Sequence, residues 1–349
     1  MPHPPVIGIV GTAKNTGKTT TLSYLMQHAH ASGLRIGITG IGYDGEELDN
    51  ITSLPKPRLT LPTNTIVTTS ERCLAVSTAK LEILERTGIV TSLGQVLILR
   101  VTEPGLVVVA GPNRKRTLST IVEKMRRIGV DFLLIDGSLN RIAPMSLADK
   151  IIFTTGAARN TETNVLAEEM KTIERAFSLE INKRALSSFR AITIFEKDEA
   201  SSLELSSLLD RNDASTLFNK LSRKSESVYI PGLISSSAMQ EFVGRLPDTR
   251  VEIILPDPLV LLLAGEPLDI ASLLDLTKKK NIDISFVSKP QLTGITINPF
   301  YPKPTGTMFA PAYVDKNEMM SRMRGAIRTP LFNVKDNESE RLYSLCNKQ

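Results

Sequence analysis

The chain has two cysteines, no tryptophan and three histidines in 349 residues. Cys73 and Cys346 are too few for a disulfide framework or a four-cysteine zinc site, and this usage points to a reducing cytoplasm. His28 and His30 stand two apart on an expected helix and cannot face one site together, while His3 lies far away in sequence. There is no Asp-x-His-x-x-Gly cobalamin-ligating loop and no Gly-x-Ser-x-Gly nucleophile turn. Long apolar runs are missing too. The longest, residues 259–264, falls far below the ~18 residues of a membrane span. Nor does a basic, then apolar leader open the chain, so the expectation is a soluble protein without a membrane partner.

Aromatic residues are scarce at 5% and charge is mildly basic, at net +5 with pI near 9.1. Basic clusters occur at Arg114-Lys115-Arg116, at Lys124, Arg126 and Arg127, and at Lys278-Lys279-Lys280. They are scattered and carry few aromatics to stack bases, which reads as solvated surface rather than a specific nucleic-acid interface. With 41% hydrophobic residues the chain can bury a large core.

Short apolar runs ending in glycine or acid alternate with helical patterns. Runs at 6–10, 34–39, 132–135 and 151–155 predict strands buried on both faces, with helices at 19–31 and 161–176. That order predicts an α/β fold, a three-layer sandwich on a mainly parallel sheet. Residues 54–111 switch to period-two alternation and read as a β-rich insertion projecting from the sheet. Within it, 79–86 reads as a short helix, and Glu103-Pro104-Gly105 as the turn of a hairpin joining 96–101 to 106–110. Further strands are expected at 191–195, 228–230, 251–255, 284–287, 294–298 and 331–334, and a helix at 317–327. The proline-rich stretch after Asn298 reads as a structured loop. The division expected is a nucleotide-binding domain at 1–200 and a C-terminal α/β domain at 201–349.

The main chemical signal follows the first strand: Gly11, Thr12, Ala13, Lys14, Asn15, Thr16, Gly17, Lys18, Thr19, Thr20. A polyphosphate needs converging main-chain N–H groups, hence glycine where φ is positive, a cation for the terminal phosphates and a hydroxyl for Mg²⁺. Lys18 and Thr19 supply the last two, and a helix beginning at Thr19 aims its positive end at the anion. Five residues separate Gly11 from Gly17, one more than the usual spacing, with Thr12 at the expected glycine position. Two acids complete the set. Asp136 ends an apolar strand as a metal-positioning carboxylate does, and Asp44, after the second strand, is assigned to Mg²⁺ or water activation. Neither Asn182-Lys183 nor Asn219-Lys220 continues into the guanine-selective Asn-Lys-x-Asp pattern, which favours ATP with Mg²⁺.

The loop resembles the P-loop NTPase class that includes partition ATPases and dethiobiotin synthetase. In that class an extra loop lysine contacts phosphates, in some members across a homodimer. Lys14 is its counterpart here, one position later than usual. Over most of the chain, Tyr43-Asp-Gly-Glu-Glu-Leu-Asp49, Pro55-Lys-Pro57, Ala110-Gly-Pro112, Ile135-Asp-Gly137 with Arg141, Thr155-Gly-Ala157 and Ile295-Thr-Ile-Asn-Pro299 occur in this order. In that colinearity the chain resembles the small P-loop (KamB-like) subunit of the lysine 5,6-aminomutase reactivase. The resemblance implies a MutS-like ATPase partner and a cobalamin-dependent aminomutase client. It also implies an ATP-driven, chaperone-like exchange of damaged coenzyme, with weak ATPase activity that a partner stimulates. Two other readings stand beside it: a biosynthetic ligase or kinase resembling dethiobiotin synthetase, and a nucleotide-binding module that does not hydrolyse.

Overall fold

A computed structural model describes residues 3–42, 59–184, 186, 188–197, 199–247, 251–305, 308–333, 335–336 and 338–348. In chain order the first elements are β1 (Val6–Gly11), α1 (Lys18–Ala31), β2 (Ile36–Gly40), β3 (Leu59–Leu61) and β4 (Ile66–Ser70). Then come β5 (Lys80–Thr91), β6 (Gly94–Glu103), β7 (Gly105–Val107), α2 (Lys115–Arg127), β8 (Phe132–Ser138), β9 (Lys150–Gly156) and α3 (Thr163–Ser178). Next are β10 (Glu180–Ile181), β11 (Thr193–Glu196), β12 (Glu199–Ser202), α4 (Arg211–Lys220), β13 (Ser227–Tyr229) and α5 (Ser236–Arg245). They are followed by β14 (Glu252–Leu255), α6 (Pro258–Leu262), α7 (Pro267–Lys279) and β15 (Asp283–Phe286). The chain closes with β16 (Gln291–Asn298), β17 (Phe300–Thr305), β18 (Met308–Tyr313), α8 (Lys316–Ala326), β19 (Leu331–Phe332) and α9 (Ser339–Asn347). No helix of the described residues is long and apolar enough to cross a membrane.

Two compact units result: residues 1–166 with 290–349, and residues 167–289. The division is therefore not the expected cut at 200/201. The expected strands at 294–298 and 331–334 belong to the first unit's sheet as β16 and β19, and the one at 191–195 is β11 of the second unit.

The first unit is built on a nine-stranded sheet in the order β19-β16-β9-β1-β8-β2-β4-β6-β5. All pairings from β19 to β4 are parallel, and β6 and β5 are antiparallel. Strands β1, β2 and β4 are buried at every position, and β1 and β2 accordingly read as apolar runs without alternation. One face carries Ile7, Ile9, Ile38, Phe132 and Leu134 against Leu22, Leu25 and Met26 of α1 and Leu342, Tyr343 and Cys346 of α9. The opposite face meets α2 and the turn Ala143–Leu147: Met125 and Val130 lie against Gly37, and Met145 against Gly8 and Gly137. The α2 residues Leu118, Ile121, Val122 and Met125 are buried at the spacing of one helical stripe. Helices on both faces make the three layers expected. Lys150 bonds the carbonyls of Leu345 (2.8 Å), Cys346 (3.1 Å) and Lys348, so its charge closes the carboxyl end of α9. Burial pushes the Cys346 thiol up to about 12.

Three expectations for residues 54–111 are corrected. The described part, from Leu59, does not project from the sheet; β4, β6 and β5 widen it. The expected helix at 79–86 is not formed, and its residues from Lys80 onward are strand β5. Their charges, which suit helical pairing, instead pair across strands as Lys80–Glu103 (2.5 Å) and Glu82–Arg100 (2.7 Å), and Arg86 meets Glu71 (3.0 Å). Pairing with β6 overrides local propensity there. The hairpin is β5–β6 rather than β6 with the strand after Pro104, because Gly105–Val107 pairs with β3 instead. After Asn298 the expected loop is a two-stranded antiparallel ribbon, β17–β18. Pro302, Pro304 and Pro311 occupy alternate rungs, where an antiparallel pair exchanges no N–H bond, so the ladder loses nothing.

The second unit holds a six-stranded sheet, β10-β15-β14-β13-β11-β12, parallel from β10 to β13 and antiparallel at β11 and β12. Two of its helices start on built caps, Asp210 with Asp213 for α4 and Ser235 for α5. A separate cluster of Leu186, Phe195, Tyr229 and Ile254 forms around segment 182–190.

Candidate functional site

In the first unit β1, β8, β2, β9 and β16 run parallel, so Gly11, Ser138, Gly40, Gly156 and Asn298 end at one carboxyl edge. An α/β sheet places its ligand crevice at that edge.

The stretch from Gly11 to Gly17 turns out of β1 and into α1 through two left-handed residues, Asn15 (φ 62°) and Gly17 (φ 94°). Glycine adopts that region without strain, and asparagine tolerates it. The helix starts at Lys18, one residue earlier than expected, with Gly17 as N-cap and no side-chain cap bond. Thr21 N already bonds Gly17 O at 2.9 Å, whereas the N–H groups of the first turn have no acceptor within the helix. They are the donors an anion would take.

Threonines sew the loop to the edge of β9. Thr12 N donates to Thr154 O at 3.0 Å, and Thr12 Oγ1 lies 3.1 Å from Thr155 Oγ1. Thr16 Oγ1 donates to Ala13 O at 2.9 Å and lies 3.1 Å from Thr154 Oγ1. On the β16 side, Asn298 Nδ2 donates to Asn15 O at 2.7 Å, and a Cβ on Gly17 would come 3.4 Å from Asn298 Cβ. The longer spacing is thus taken up by an anchored turn in which Thr12 and Thr16 are buried, Ala13 is half-buried, and Lys14 and Asn15 are exposed.

The Lys18 side chain runs back over Gly11, its Cδ 3.5 Å from where a Cβ would stand, and its Nζ lies 3.2 Å from Asp136 Oδ1. That oxygen is buried and accepts no hydrogen bond among the described residues, so the Lys18 ammonium is the charge that meets it. Strand β8 continues through Ser138, which sets Asp136 two residues inside the strand rather than at its end. The partner registers Ile9 and Gly40 put Asp136 on the α1 face. Thr19 is exposed and Thr20 half-buried in the first turn of α1. Among the described residues no three His, Cys, Asp or Glu side chains form a metal cage. Asp44 lies outside the described residues, as do Tyr43-Asp-Gly-Glu-Glu-Leu-Asp49 and Pro55-Lys-Pro57.

Other segments singled out in the sequence meet at the same edge. Gly111 N bonds Gly42 O (3.2 Å), and Gly42 N bonds Pro112 O (3.3 Å). The Arg141 guanidinium reaches within 4.0 Å of the Cβ position at Gly42. Gly156 packs so closely on Asn298 that a Cβ would come 2.1 Å from its carbonyl oxygen. Sequence reasoning gave no role to Thr154 or to the Asn298 side chain. Their signal is faint: two threonines, then glycine, ending an apolar run, and an asparagine ending another.

No family model matches the chain, and no curated protein matches it. Among solved structures, a nucleotide-binding protein from Archaeoglobus fulgidus, in complex with ADP and with cobalt found in it, is similar at 8% identity. That match covers 99% of this chain and 87% of the other at a TM-score of 0.25, too low to bear on the site.

Proposed function

We propose that the chain binds ATP at residues 11–20 and works as a nucleotide-dependent switch. The observation that carries this reading is the anchored turn with its open helix start, flanked by Lys18 and Asp136 in contact. A polyphosphate arriving there meets the first-turn N–H groups of α1 and competes with Asp136 for the Lys18 ammonium. Once Lys18 turns to phosphate, Asp136 keeps a buried oxygen in need of a cationic or donor partner. The donor set fits Mg²⁺, which would neutralise phosphate charge between the Thr19 hydroxyl and, through water, Asp136. Asp44 is proposed for the same metal or for the attacking water, and Lys14 for a phosphate. The absence of Asn-Lys-x-Asp supports adenine over guanine.

The client follows from the colinear segments. Four of those six segments border the loop's edge of the sheet, which suits a partner-read switch. We extend the proposal to a reactivase component for a cobalamin-dependent aminomutase, acting with a MutS-like ATPase subunit. In calorimetry, Lys18→Ala should weaken ATP binding about 100-fold, the scale of a lost charge-assisted contact; unchanged affinity ends the proposal, and GTP binding as tightly as ATP ends the adenine assignment. Low ATP turnover that rises with client or partner supports the reactivase, while turnover driven by a small carboxylate instead identifies a ligase.

A further inference from the structure

The second unit contains a polar cavity of about 410 Å³, lined by Arg184, Glu226, Ser227, Glu252 and Asp283. The sheet assembles it. Ser227, Glu252 and Asp283 are register partners on the parallel strands β13, β14 and β15, so their side chains leave the same face at one level. Glu226 precedes β13, and its carbonyl accepts from Glu252 N at 3.0 Å. Three carboxylates against one guanidinium leave the lining negative. Arg184 is held to one side, over the Phe195 ring at 4.9 Å and 3.6 Å from Glu226. The Glu252 carboxylate is fixed by Asn182 Nδ2 (2.9 Å) and Ser285 Oγ (2.5 Å), both meeting Oε1.

A second observation points to a ligand. Ser227 is 1% exposed, and its Oγ is buried with no hydrogen-bond partner among the described residues. A buried hydroxyl beside a cavity, left unbonded, keeps a desolvation cost that a ligand donor would remove. A metal ion does not suit, because these carboxylates form no cage and the space is many times that of one ion. A primary ammonium does. It brings one positive charge and three N–H donors to a lining of carboxylate and hydroxyl acceptors.

We propose that this cavity binds a small aliphatic amine, its ammonium group between Ser227 Oγ and the carboxylates of Glu252 and Asp283. The site is independent of the loop at Lys18. The test is calorimetric titration of the full chain with putrescine, alongside 1,4-butanediol as its uncharged counterpart and magnesium chloride as a competing cation. Saturable one-site binding of putrescine is expected, with none of butanediol and no displacement by Mg²⁺. Glu252→Gln should weaken it at least tenfold, on the scale of a charged hydrogen bond. Because Glu252 also holds Asn182 and Ser285, Glu226→Gln at the exposed rim gives a second charge-loss variant, expected to weaken binding several-fold. Ser227→Ala should weaken binding several-fold while the free variant melts at the same or a higher temperature. Lys18→Ala should leave the affinity unchanged. Absence of saturable heat, equal binding of butanediol, displacement by Mg²⁺, or affinity that survives Glu252→Gln and Ser227→Ala would each overturn the proposal.

Discussion

Thr154 belongs to β9, yet its main-chain oxygen and its hydroxyl both hold the loop, through Thr12 and Thr16. Thr154→Val keeps the volume and the backbone acceptor and removes only the contact to Thr16. We expect it to lower stability by about 1 kcal/mol and nucleotide affinity several-fold, because a looser loop is ordered at the expense of binding. Urea unfolding and calorimetry together check this; a loss of stability with full affinity would show that the contact serves the fold alone. At this scale the sequence was most readable where a local pattern fixes the backbone. Glycine, lysine and threonine between an apolar run and a helix mark the turn from β1 into α1, and an acid in an apolar run marks the place of Asp136 on β8. Thr154 and Asn298 were not readable, since their roles come from strands more than about 130 residues beyond the loop that reach it only through the sheet, β9 pairing with β1 and β16 with β9.

Helix α9 shows how an element can be tied down from several sides. Tyr343 stacks on His28 of α1 (5.7 Å between ring centroids) and tilts against Phe132, while its hydroxyl is buried without a partner among the described residues. The ring and the hydroxyl therefore act in opposite directions. Tyr343→Phe should be neutral or stabilising, and Tyr343→Ala should cost about 3–5 kcal/mol as a cavity in the core. Chemical denaturation of the two variants distinguishes the terms, and a large loss in the phenylalanine variant would reveal a bond to that hydroxyl. Elements buried on both faces were legible as apolar runs, so β1, β2, β8, β9 and β16 were expected close to where they lie. The exposed edge was not. Lys80–Thr91 has half-exposed residues throughout, and its Lys, Glu and Arg serve a helix or a strand edge equally well. Only the partner strand decides.

Across the whole molecule, the loop, Asp136 and the segments around them all belong to the unit formed by 1–166 and 290–349, whereas the amine cavity belongs to 167–289. Scanning calorimetry should resolve two unfolding steps, with ATP and Mg²⁺ raising only one of them, by about 2.7 kcal/mol at a hundredfold excess over Kd. A single step, or an equal shift in both, would show that the two units unfold together. The domain order escaped sequence reasoning because a chain that leaves a sheet and returns to it looks, read linearly, like two domains in series. That detour bears on how the protein is made. The turn at Lys18 emerges early from the ribosome, but the strand bearing Asn298 is synthesised only after roughly 140 further residues beyond Gly156, on the order of ten seconds at ordinary elongation rates. Until then the nascent loop lacks the amide that fixes Asn15, so a polypeptide stalled partway would have the signature motif without its finished geometry.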